Sequence, residues 1–130
     1  MKELLFIALL ILLSSGPVYA VWEVLEKQYQ PTGLETLYFD PETIHREGTR
    51  AMLWQLTDLK WNSTTRFLSS KTHKEFDCEQ SRVRVWQVIK FSRQMGTGRS
   101  AAGFIENGSW QSVGAHSLSR VLLQIACGKH

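Results

Sequence analysis

RVRVWQVIKFS, residues 82–92, is the clearest strand pattern in the chain. β-Branched and aromatic residues dominate it, as they do pleated surfaces packed on one side. A period of two places Val83, Val85, Ile89 and Phe91 on one face, with Arg82, Arg84, Trp86, Val88 and Lys90 on the other. Just ahead lies EFDCEQS (75–81), with Cys78; the one other cysteine is Cys127, in IACGKH (125–130). At this point Cys78 is open to three roles: nucleophile, metal ligand or half of a disulfide.

The compartment narrows those roles. The chain opens MKELLFIALLILLSSGPVYA, with Lys2 before an apolar run from Leu4 to Leu13, then the helix-breaking SSGP and the small-residue end Val18-Tyr19-Ala20. That order predicts a secretory signal over 1–20 with cleavage between Ala20 and Val21. The alternative, a membrane anchor, needs ~20 apolar residues. No cysteine stands near the cut to take a lipid. The expected mature unit is 21–130, one domain with one core and no membrane span. Formal net charge is +3, and losing Lys2 and Glu3 leaves it unchanged. So mild an excess does not single out nucleic acid. Disulfides persist in exported proteins, and two cysteines pair in one way.

Working outward, strands are expected at Trp22–Leu25, ETLYF (35–39), Ile44–Arg46, RAMLWQLTDL (50–59), a stretch from Thr65 to Cys78 bulged or broken around Lys71–His73, and Ser100–Glu106. Gln30–Gly33, Asp40-Pro41, Glu47-Gly48, Trp61–Thr64, Met95–Gly98 and Asn107-Gly108 punctuate them. The period then changes. Leu118, Val121, Leu122, Ile125 and Ala126 fall on one helical stripe, with Ser117 as its N-cap and Gly128 past its end. Many strands and one terminal helix predict an α+β fold, a single mostly antiparallel β-sheet with the C-terminal helix packed on one face. The opposite face then carries Trp and aliphatic groups beside Arg and Lys, a surface suited to a partner, of which a second copy forming a homodimer is the simplest.

YFDPETIHREG (38–48), WQLTDLK (54–60), SSKTHKEFDC (69–78), RVR (82–84), MGTG (95–98) and ACG (126–128), in this order, resemble the bacterial surface-adhesin protein E family over nearly the whole mature chain. The resemblance implies a small antiparallel sheet whose C-terminal helix is tethered by a cysteine pair, here Cys78 and Cys127. It also implies an envelope protein able to dimerise, without catalytic residues or cofactor. The family's founding adhesin binds host matrix and serum proteins and is lipid-anchored; without that cysteine this chain is similar to a non-lipidated member, periplasmic or envelope-associated.

Other chemistries read more weakly. A thiol nucleophile needs a base, for which His73 and His130 are candidates by spacing alone. His73, Cys78, Cys127 and His130 match zinc spacings poorly. His45 and His116 are isolated beside turns. Gly-x-Ser-x-Gly is absent, and MGTGRS (95–100) lacks the phosphate-binding Lys-Ser/Thr. The sequons at Asn62 and Asn107 matter only in a glycosylating host. A small periplasmic enzyme or ligand carrier would need converging polar groups that the sequence does not reveal. The residues singled out for binding are Arg82, Arg84, Trp86 and Lys90, against the plain alternative of a solvated or dimer-buried sheet face.

Overall fold

The computed structural model describes residues 21–25, 35–59, 66–105 and 108–128. The signal segment, the Gln30–Gly33 and Trp61–Thr64 punctuation, Asn62, Asn107 and His130 lie outside the described residues. Strands are β1 (Glu23–Val24), β2 (Glu35–Phe39), β3 (His45–Glu47), β4 (Arg50–Leu59), β5 (Ser69–Asp77), β6 (Arg82–Phe91), β7 (Ser100–Phe104) and β8 (Gln111–Ser112), followed by helix α1 (Leu118–Cys127). They form one antiparallel sheet in the order β1-β2-β4-β5-β6-β7. β3 shares the outer edge of β4 with β2, and β8 shares the outer edge of β6 with β7. Among the described residues no helix is long and apolar enough to cross a membrane.

The expected strands at 35–39 and 50–59 have the observed bounds. Asp40-Pro41 opens a short 3-10 turn rather than a simple bend. Pro41 presets its φ, and the Asp40 carboxylate accepts from the Glu42 amide at 3.0 Å. Gly48, at φ +61°, turns β3 into β4. β5 is continuous through Lys71–His73, and of the expected bulge or break the ladder shows the bulge: its register with β6 shifts between His73 and Lys74. Its polar side chains there lie on aromatic surface: Lys71 Nζ is 5.1 Å from the Phe91 ring centroid, and the His73 ring stacks 4.6 Å from Trp54.

One face of the sheet packs on α1. Leu37, Phe39, Ala51, Leu53 and Phe76 project from it to meet Leu122, Leu123 and Ala126. The helix is thus turned slightly from the predicted stripe: Leu123 is buried, while Val121 and Ile125 pack at the margin. Ser117 Oγ accepts from the Arg120 amide at 3.3 Å, and Gly128 closes the helix at φ +73°. Arg46 donates to the last carbonyls, Nε to Ala126 O at 2.6 Å and Nη2 to Ile125 O at 3.2 Å, a cation placed at the negative end of the helix. Cys78, at the end of β5, is bonded to Cys127, the last residue of α1, with Cα atoms 5.8 Å apart. That bond consumes both thiols, which removes the nucleophile and zinc readings.

Candidate functional site

Register decides the site. β5 and β6 pair residue for residue from Asp77↔Arg82 to Lys74↔Val85, and again from His73↔Gln87 to Ser69↔Phe91. Between them β6 carries one extra residue, Trp86. A bulge of one residue reverses which face each later side chain takes. Arg82 and Arg84 therefore share a face with Gln87, Ile89 and Phe91, while Val83, Val85, Val88 and Lys90 share the face that bears the helix. The expected grouping is corrected here: Lys90 lies on the opposite side of the sheet from Arg82 and Arg84. Strict alternation failed because it cannot see an inserted residue.

Trp86 stays with the arginines. Its indole is 43 % exposed, the Arg84 guanidinium lies 4.6 Å from its centroid, and its N–H donates to Glu75 Oε1 at 3.0 Å. The same oxygen receives Arg84 Nε at 2.5 Å, and Arg50 Nη1 lies 3.5 Å from Oε2. Asp77 holds Arg82 at 2.8 Å and accepts from the Glu79 and Gln80 amides. Over these groups sits Trp110, from the segment entering β8. Its ring lies 4.8 Å from the Arg50 guanidinium, 5.0 Å from Arg82 and 4.4 Å from Arg84.

This cluster occupies one end of the face opposite α1. The other end is closed by the turn at Gln94–Gly96, where the Met95 amide donates to Asp58 and the Gly96 amide to Ser69. Leu56 is fully buried there. Gly96 takes φ +68°, the left-handed conformation that favours glycine in this turn. Between the ends, Trp54 and His73 lie stacked.

Burial pushes the Glu75 pKa upward, but hydrogen bonds from Arg84 and Trp86 and the charges of Arg84 and Arg50 outweigh it and hold the carboxyl below its ordinary value. The Arg82 hydrogen bond does most to depress Asp77. Burial lowers His73, with Glu75 pulling the other way. Both carboxylates are thus ionised clamps that fix three guanidiniums in place. The sequence reading missed Arg50, Glu75 and Trp110. Arg50 and Glu75 join the site only through cross-strand register, and Trp110 arrives from outside the long strands.

The described residues hold no group of three or more His, Cys, Asp or Glu placed for a metal. What the arrangement offers is a rigid aromatic and cationic contact surface.

Solved structures with this fold include protein E of Haemophilus influenzae in crystal form II, with a TM-score of 0.63 and 15 % identity over 86 % of this chain and 91 % of that one. Protein E from non-typeable H. influenzae gives 0.63 and 16 % over 87 % and 79 %. At such identity the likeness is one of fold. No curated protein is detectably similar in sequence. The profile described as surface-adhesin protein E, however, matches residues 22–128. The chain belongs to the surface-adhesin protein E family.

Proposed function

We propose that this chain is an exported, non-enzymatic envelope protein that acts by protein binding through the face opposite α1. The observation that carries the reading is the pair Trp86 and Trp110, both against the Arg84 guanidinium, which Glu75 holds in place together with Trp86, on the face opposite α1. Trp and Arg dominate the energetic centres of protein interfaces, because each brings large contact area together with directed polar groups. Here their conformations are fixed before any partner arrives, which lowers the entropic cost of binding. The adhesins for which the family is named make host matrix or serum proteins the first partners to test.

The experiment is a titration of the purified chain against immobilised matrix and serum glycoproteins. Saturable binding to at least one is expected, weakened about tenfold or more by Trp86→Ala in protein that remains folded. Failure to bind any of them, or binding indifferent to Trp86→Ala, rejects the proposal.

A second reading, homodimerisation through the same face, rests on its mixed charge. Arg50, Arg82 and Arg84 stand beside Glu75 and Asp77, so two copies related by a twofold axis can present opposite charges to each other. Light scattering tests this, and a strictly monomeric mass at high concentration rules it out.

A further inference from the structure

The face that bears α1 is not wholly covered by it. Ten residues of helix span ~15 Å, whereas ten-residue strands such as β4 and β6 span ~33 Å. The helix packs over Ala51, Leu53 and Phe76. Beyond it the same face continues as the cross-strand row Thr57↔Ser70↔Lys90↔Ala101. Three of the four residues in this row are polar, whereas Ala51, Leu53 and Phe76 under the helix are apolar.

Two hollows lie at this end of the sheet, and Arg66 and Phe67 line both. The smaller, of about 230 Å³, also has Glu35, Ser70 and Lys90 in its walls. The wider, of about 600 Å³, adds Arg99 and the hydroxyls of Ser92 and Ser100. Lys90 Nζ stands 5.9 Å from the Phe67 ring centroid. Among the described residues, no carboxylate lies within 4 Å of Arg66, Lys90 or Arg99. The contrast with the opposite face is direct, since Arg50, Arg82 and Arg84 are each paired with a carboxylate there, Arg50 and Arg84 sharing Glu75.

We propose that this trough binds an acidic glycan, with a carboxylate-bearing sugar ring seated against Phe67. Three cations without an ion pair among the described residues, beside one carboxylate, suit an anionic ligand, and guanidinium matches a carboxylate with two parallel hydrogen bonds. Serine hydroxyls and the Glu35 carboxylate add acceptors and donors suited to a polyhydroxylated body rather than to a hydrocarbon chain. Phe67 supplies an apolar wall for the C–H face of a pyranose. The smaller hollow lies below the ~300–1,000 Å³ typical of sites for drug-sized ligands, which suits one ring; the wider one beside it leaves room for the chain to continue. Uronic and sialic acids share this chemistry, and the test separates them.

The full-length mature chain is titrated with a sialylated trisaccharide, a glucuronate-containing oligosaccharide, neutral lactose and inorganic sulfate, followed by amide NMR shifts and calorimetry. Saturable shifts centred on Phe67, Ser70, Lys90 and Arg99 are expected with one or both acidic sugars and not with lactose. Lys90→Ala and Arg99→Ala alter exposed side chains, so they should fold normally while each weakens binding about tenfold, the loss of one charge-assisted hydrogen bond. Trp86→Ala should leave sugar binding unchanged, which keeps this result independent of the protein-binding face. Three outcomes would overturn the proposal: no saturable shift with either acidic sugar, equal shifts with sulfate alone, or affinity indifferent to both Lys90→Ala and Arg99→Ala.

Discussion

Trp86 donates its indole N–H to Glu75 Oε1 at 3.0 Å, so the extra residue of β6 is anchored to the strand it bulges away from. Glu75 is the common acceptor of the cluster. Its side chain is 10 % exposed and receives Arg84 and Trp86 while facing Arg50. Glu75→Gln keeps the shape but removes the charge. It should cost about 2–4 kcal/mol in chemical denaturation and broaden the NMR signals of both indoles.

Deletion of Trp86 makes a sharper test of the bulge. Val85 already pairs with Lys74 and Gln87 with His73, so the ladder closes without it and no later side chain changes face. The deletion should fold with a loss of about 1–2 kcal/mol, mainly the indole hydrogen bond and its contact with Arg84. An inserted alanine after Gln87 should do worse, because it reverses the faces of Val88 and Ile89. Circular dichroism and thermal melting distinguish the two.

The disulfide closes a loop of 49 positions. In the chain-entropy account such a loop contributes about 4 kcal/mol. Cys78→Ser with Cys127→Ser should lower the free energy of unfolding, measured by chemical denaturation, by about that amount, and reductant should reproduce the effect in the unmodified chain. Arg46→Ala, which strips the last helical carbonyls of their donor, should cost about 1–2 kcal/mol and act on the same element.

Acid should weaken the fold in two stages. His73 has a folded pKa below its ordinary 6.5 because it is buried. The unfolded chain therefore takes up that proton first, and stability falls as pH drops from about 6.5 toward the lower folded value. Glu75 and Asp77 are also depressed, so their contribution is complete above the ordinary carboxylate range and is lost as pH falls below about 4. Melting temperature measured from pH 8 to 2 should show both declines. His73→Phe, which preserves stacking on Trp54, should remove the upper one.

The sequence by itself determined the elements and their punctuation. Alternation in RAMLWQLTDL, the Ser117 and Gly128 caps and the helical stripe are local patterns, set by backbone geometry within a few residues. Two cysteines can pair in only one way, and the bond they form joins β5 to α1. Tertiary structure alone decided which side chains meet. One inserted residue, Trp86, parted Lys90 from Arg82 and Arg84, and cross-strand register brought in Arg50 and Glu75 from β4 and β5. Trp110 joined from a segment with no strand pattern of its own. Periodicity fixes a face only while the ladder has no bulge, and partners distant in sequence are chosen by register and packing.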